Sequence, residues 1–269
     1  MRLSISNLAW PETSIAAVAP QLTAAGLIGL EVAPTAVWPD APRVPAREVE
    51  EYAREWQDHG LSVSGIQSLM FGHPQFQLFD RDTWPEMLEH LTAMIRLGEA
   101  LGTHTAVFGS PKNRVKGNLA DHEANLICAE FMHLLIPVLM DCEIVLTLEP
   151  NAPAYGADYL THYVDTVVVA DLVASSWVQP QVDTGCLSMV GDDPAGAIRA
   201  RTPAHVHISS PNLAAPPGPV DHTAVRQALI DANYEGWVVL EMLKSGSKPF
   251  DTAMESAAWL ATTYRSEGT

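Results

Sequence analysis

The sequence predicts an α/β protein, a single (β/α)8 TIM barrel. Three observations carry that expectation. Short apolar, β-branched runs alternate with longer amphipathic stretches along all 269 residues, and the alternation occurs eight times. The turn after the first run, Asn7-Leu8-Ala9-Trp10-Pro11-Glu12, lacks the glycine-rich phosphate signature of an open doubly wound sheet. The chain has the usual length for one barrel, and no Gly/Ser linker or composition shift divides residues 1–269 into two domains.

The elements follow from period and length. The predicted strands are Leu3–Ser6, Gly29–Val32, Ser62–Gln67, Thr105–Phe108, Ile144–Glu149, Val178–Asp183, His205–Ser209 and Val238–Glu241. After each comes a helical pattern: Ile15–Ala25, Ala46–His59, Trp84–Leu101, Ala120–Met140, Asp158–Ala174, Pro194–Arg199, Thr223–Ala232 and Thr252–Tyr264. Gly26, Gly60 and Gly102 stand between a helical pattern and a strand, where a left-handed cap is needed. Asp82, ahead of Thr83-Trp84-Pro85-Glu86, predicts a capping side chain, an early proline and an acidic first turn.

With 47% hydrophobic and 17% charged residues the chain can build a sizeable core, which excludes a disordered protein. Fifteen Lys+Arg against 32 Asp+Glu give a net charge of −17, which repels phosphodiester backbones and anionic membranes. Cys128, Cys142 and Cys186 are odd in number and far apart, against a disulfide framework or a zinc knuckle. The start, Met1-Arg2-Leu3-Ser4-Ile5-Ser6, does not read as a signal peptide. The most apolar stretch, around Phe131–Met140, is interrupted by His133 and Pro137 and is too short to span a bilayer. A soluble, cytoplasmic protein is expected.

In such barrels the chemistry sits at the C-terminal ends of the strands. There the fifth strand ends in Glu149, the sixth in Asp183 and the eighth in Glu241, while the seventh carries His205 and His207 on one face. The spacings of 34, 24 and 34 residues from Glu149 to Asp183, His207 and Glu241 are each about one βα unit. Neighbouring parallel strands lie ~4.8 Å apart, so these four side chains can converge inside the mouth. Three carboxylates and an imidazole cannot gather in an apolar barrel without a countercharge. One divalent cation resolves this. Oxygen-rich ligation with one nitrogen suits Mn²⁺ or Mg²⁺, with Co²⁺, Zn²⁺ and Fe²⁺ as alternatives. His205, deeper in its strand, reads as a packed or supporting histidine.

At these residues the sequence resembles the xylose isomerase-like TIM-barrel superfamily, in its sugar phosphate isomerase/epimerase branch, over essentially the whole chain. The segments that carry the resemblance are Leu3–Trp10, Leu148-Glu149-Pro150-Asn151, Val182-Asp183-Thr184-Gly185, His205–Ser209 and Val239-Leu240-Glu241-Met242. The block Phe108–Arg114 and the Gly156/Asp158 region look like an uncharacterised bacterial subgroup. The resemblance implies that Glu149, Asp183, His207 and Glu241 bind one divalent metal and that Glu149 and Glu241 carry protons. It implies a metal-dependent isomerase or epimerase acting on a sugar or sugar-like polyol ketone through a metal-stabilised enediolate. The alternative is a dehydratase of the inosose or dehydroshikimate type. Two positions depart from ketose 3-epimerases: Cys186 stands where a His is usual three residues after Asp183, and Leu213 where an Arg is usual six after His207.

Candidate substrate-binding residues come from the other strand-end loops: Trp10 as a pocket wall, Gln67, His73, Lys112 for an anionic group, Asn151 for a hydroxyl, and Cys186 as a small lining residue. Arg114 shares the reading given to Lys112. Pro211–Pro219 reads as a stiff loop over the mouth. A metal-cluster endonuclease would need further ligands, for which His73, His104 and His222 are candidates, and the charge weighs against it. A barrel that binds without turnover is disfavoured by the intact ligand series. The expected partners are a small polyhydroxy carbonyl substrate and a second copy of the chain, with Trp177 or the proline-rich loop at the contact; no nucleic acid or membrane is expected.

Overall fold

The computed structural model describes residues 1–265. Eight parallel strands close in chain order, the last pairing with the first. They are β1 Arg2–Ser6, β2 Gly29–Val32, β3 Ser62–Ile66, β4 Thr105–Phe108, β5 Val145–Leu148, β6 Val178–Asp183, β7 His205–Ile208 and β8 Trp237–Leu240. The helices around them are α1 Ile15–Ala25, α2 Ala46–Asp58, α3 Trp84–Ala100, α4 Asp121–Asp141, α5 Tyr163–Val173, α6 Thr184–Val190, α7 Pro194–Ala200, α8 His222–Asp231 and α9 Pro249–Tyr264. The expected (β/α)8 barrel is what forms.

Strand alternation sorts the side chains into two layers. One set, including Leu3, Ile5, Leu30, Val32, Leu146, Leu148, Val182, Val206, Ile208, Val238 and Leu240, is buried in the apolar core. The other set faces the axis and is polar: Glu31, Gln67, Thr147, Gln181, His205 and His207 are all buried. A barrel interior is ordinarily filled by branched aliphatic residues. Here it is a hydrogen-bonded interior, and that polarity leads up to the strand ends.

The structure corrects four local expectations. Asp82 does not cap α3. Asp80 accepts the Asp82 amide, and Thr83 uses its hydroxyl on the Gln77 backbone. The fifth helical pattern begins at Tyr163 rather than Asp158, because His162 and Asp165 form a reciprocal capping box. Asp158 instead holds the loop after β4, accepting from the Lys116 and Gly117 amides at 2.6 and 2.9 Å. Residues after Asp183 form an additional short helix, α6, which Gly191 closes in a left-handed cap. Finally, α4 is 21 residues long, and by length and hydropathy alone it could cross a bilayer. In the barrel it packs between α3 and α5, burying Cys128, Phe131, Met132, Leu135 and Leu139. Gly26, Gly60 and Gly102 take the expected positive φ angles of 93°, 79° and 72°.

Candidate metal centre

Register places the four strand-end groups at one height. Asp183 pairs with His207, and His207 pairs with Val239, two residues before Glu241. Glu149 follows the last residue of β5 and its amide bonds to the Phe108 carbonyl. The ligating atoms of Glu149, Asp183, His207 and Glu241 lie within 4.8 Å of one another, and all four residues are buried. His207 Nδ1 is the centre of the group, 2.8 Å from Glu149 Oε1, 3.3 Å from Glu241 Oε2 and 4.0 Å from Asp183 Oδ2.

Each carboxylate is held differently. Glu149 Oε1 accepts from Gln181 Nε2 at 2.9 Å, and the Gln181 carbonyl oxygen accepts from Thr147 Oγ1. Glu149 Oε2 accepts from Asn151 Nδ2 at 3.0 Å. Arg114, fully buried, donates through Nη2 to the Glu149 carbonyl and to Asn151 Oδ1, both at 2.6 Å. Asp183 Oδ1 caps α6, accepting from the Cys186 amide at 2.6 Å and from Ser209 Oγ at 2.7 Å. That leaves Oδ2 turned to the cluster. Among the described residues His207 is the only ion-pair partner of Glu241.

The acidities follow from these surroundings. Burial pushes Glu241 up to about 7, and the charges of Glu149 and Asp183 add to it against the pull of His207. Asp183 is raised as well, by burial and by Glu149. Burial acts the same way on Glu149, but His207, Asn151 and Arg114 outweigh it and the group ends below the usual carboxylate range. Burial opposes a charged His207, yet Glu31 and Glu241 raise it well above 6.5.

Beneath the cluster lies Glu31, a residue the strand-end reading passed over. It is wholly buried on β2. Its Oε1 is 2.8 Å from His205 Nε2 and its Oε2 is 2.9 Å from His207 Nε2, while Gln67 Nε2 donates to Oε2 at 2.9 Å. His205 pairs with Glu31 and stands outside the four-residue cluster, and Glu31, His205 and His207 form a second group whose atoms could hold a metal ion. A charged residue inside the apolar run Gly29-Leu30-Glu31-Val32 was the sequence signal for Glu31.

These residues fit a divalent cation. Neither ring nitrogen of His207 closes an aligned hydrogen bond, although carboxylate oxygens stand at bonding distance. Four buried carboxylates, counting Glu31, face only two imidazoles and Arg114 as compensating groups. The uncompensated negative charge and a histidine nitrogen amid oxygens form a group that could hold a metal ion.

Above the cluster opens a cavity of about 520 Å³. Of the expected substrate-binding residues, Gln67, His73, Lys112, Asn151 and Cys186 line it. Trp10 does not: it packs in the hydrophobic core, 7% exposed. Arg114 is a buried brace and not a substrate contact, whereas Lys112 is exposed. Leu213 brings the proline-rich loop to the cavity. His73 stacks on Phe76, His104 reaches the Glu143 carbonyl, and His222 is held by Tyr264 and Pro217. None of the three joins a metal-binding group among the described residues. Cys186 is raised well above 9, chiefly by burial, and stays a thiol.

A family model described as xylose isomerase-like TIM barrel matches residues 20–263, and the chain belongs to that family. No curated protein matches it. Among solved structures, D-psicose 3-epimerase in the presence of D-fructose is 17% identical with a TM-score of 0.81, covering 99% of this chain and 100% of that one. The 3-keto-D-glucoside 4-epimerase of E. coli is 19% identical with a TM-score of 0.78, over 97% and 99% of the two chains. An AP endonuclease, family 2, from Brucella melitensis is 19% identical with a TM-score of 0.77, over 97% and 99%. At these identities the likeness is one of fold.

Proposed function

We propose that this chain is a divalent-metal-dependent isomerase or epimerase of sugars or sugar-like polyol ketones. The observation that carries the reading is the meeting of Glu149, Asp183, His207 and Glu241 at the floor of the cavity. An ion held by these four, Mn²⁺ or Mg²⁺ by donor type, supplies Lewis acidity toward a substrate carbonyl oxygen when bound. The epimerase activities of two of the fold neighbours agree with this reading.

Proton movement falls to the two glutamates. A C–H beside a carbonyl needs a base on one side and an acid for the return. Glu149 and Glu241 come from β5 and β8 and approach His207 Nδ1 from different strands. Their environments separate them: four N–H donors or positive groups act on Glu149, while Glu241 is pushed up to about 7. Proton return to the opposite face inverts the carbon; return to the neighbouring carbon exchanges aldose and ketose. Gln181, Asn151 and Arg114 keep the Glu149 carboxylate in place for this work.

The net charge of −17 extends the proposal to partners: a small molecule and not a nucleic acid. The three free, buried cysteines suit the reducing cytoplasm. The test is solvent deuterium exchange into a panel of ketoses, keto-cyclitols and ketonic acids with added Mn²⁺. Exchange at one carbon is expected, and Glu149→Gln and Glu241→Gln are each expected to abolish it. Wild-type exchange in either variant removes that residue from the proton chemistry. A product lacking one hydroxyl identifies a dehydratase on the same scaffold.

A further inference from the structure

The cavity wall contains a hydroxyl that closes no aligned hydrogen bond among the described residues. Tyr155 sits in the single 3-10 turn Pro153–Tyr155 after β5 and lines the cavity together with Glu149, Asp183, Glu241, Cys186 and Leu213. Its Oη is buried and closes no aligned hydrogen bond among the described residues, the backbone of Asn212 being the group nearest to doing so. Other tyrosines spend theirs: Tyr159 on Asn125, Tyr163 on the Arg201 carbonyl, Tyr234 on the Trp237 carbonyl and Tyr264 on His222. A buried hydroxyl without a partner is destabilising unless a ligand or water supplies one.

We propose that Tyr155 is a substrate-binding, specificity-determining residue, its hydroxyl donating to an oxygen of a polyhydroxy ketone seated over the four-residue cluster. The inference rests on the reading of the cavity as a substrate site. Burial, and the nearby Cys186, Asp183 and Glu241, keep the phenol protonated and therefore a donor. Its flanks are non-ionised: Cys186 is a thiol and Leu213 an aliphatic chain. Leu213 is held there at cost, since Asn212 and Leu213 take φ angles of 61° and 52°, a region that side chains disfavour. The Leu243 amide fixes the loop by bonding the Leu213 carbonyl at 2.9 Å. On this side the substrate meets one donor between two weakly polar surfaces. The matching ligand turns a single oxygen toward Tyr155 and bare carbon skeleton toward Cys186 and Leu213.

The test uses Mg²⁺-loaded full-length protein carrying 3-fluorotyrosine, with D-fructose, 2-keto-myo-inositol and methyl 3-keto-glucoside as probes. The resonance lost in Tyr155→Phe identifies Tyr155 in the ¹⁹F spectrum. At least one probe is expected to shift that resonance saturably. Tyr155→Phe, which removes only the hydroxyl, is expected to weaken that probe about tenfold by calorimetry, with Mg²⁺ affinity unchanged and Tm not lowered. Wild-type probe affinity in Tyr155→Phe overturns the inference, and so does a Tyr155 resonance that no probe moves. A probe that binds through Tyr155 without solvent deuterium exchange supports this inference while removing the catalytic reading, so the two fail separately.

Discussion

A carboxylate cut off from water must find its counter-charge among neighbouring side chains. Glu31 finds it in His205 and His207, and the two histidines hold its carboxyl well below the usual 4.5 despite complete burial. A lowered carboxyl stabilises the fold fully above its unfolded value and loses that contribution as pH falls toward the folded value. Metal-free protein is therefore expected to lose thermal stability progressively as pH drops below 4.5. Glu31→Gln should flatten that loss. At neutral pH it should cost about 3 kcal/mol, since removing one partner strands buried charge. Melting curves of both proteins between pH 7 and pH 3 check this; parallel acid profiles would show that Glu31 is not the group responsible.

At the scale of elements, a short helix and a ligand are one device. Asp183 is the N-cap of α6, and the amide and hydroxyl that hold Oδ1 leave Oδ2 for the cluster. Ser209→Ala removes the hydroxyl while the Cys186 amide remains. Loss of such a supporting hydrogen bond is expected to weaken Mn²⁺ binding about tenfold, measured by calorimetry. Glycine does comparable work beyond β4. A Cβ added at Gly109 would stand 2.5 Å from Glu149 Oε2, so the Glu149 carboxylate occupies space that only glycine leaves free. Gly109→Ala should displace that carboxylate and reduce deuterium exchange by roughly 10² while the barrel still folds, as circular dichroism would report. Exchange at the wild-type rate would mean that the carboxylate can move aside without consequence.

For the molecule as a whole, an ion held by the cluster would couple its binding to folding. Several buried carboxylates repel one another in the metal-free barrel. An ion that binds only the folded chain adds about 2.7 kcal/mol at a hundredfold excess over its Kd. Mn²⁺ is expected to raise Tm by roughly 5–10 °C and a chelator to reverse it, measured by scanning calorimetry. Sodium chloride at the same ionic strength should not reproduce the rise, which separates a specific site from screening of the net charge of −17. An equal rise with sodium chloride would count against an ion site.

Much of this protein was legible in its residues. Period and length located all eight strands, because a parallel strand buried on both sides must be a short apolar run. Barrel topology then made Glu149, Asp183, His207 and Glu241 neighbours, since each closes a successive strand. What the order of residues left open was the inward partner of each group. Glu31 and His205 are 174 positions apart and meet only because closure of the ring between β8 and β1 brings β2 and β7 within reach across its interior. Trp10 and Arg114 were read from loops, whose course depends on packing; one enters the core and the other braces Glu149 from below. The hydroxyl of Tyr155 belongs to the same class. Local sequence decides which segments become strands and helices, because propensity and hydrophobic period act over a few residues. The balance of buried charge and the unsatisfied groups in the cavity were decided by tertiary structure, which alone selects the distant side chains that share a space without water.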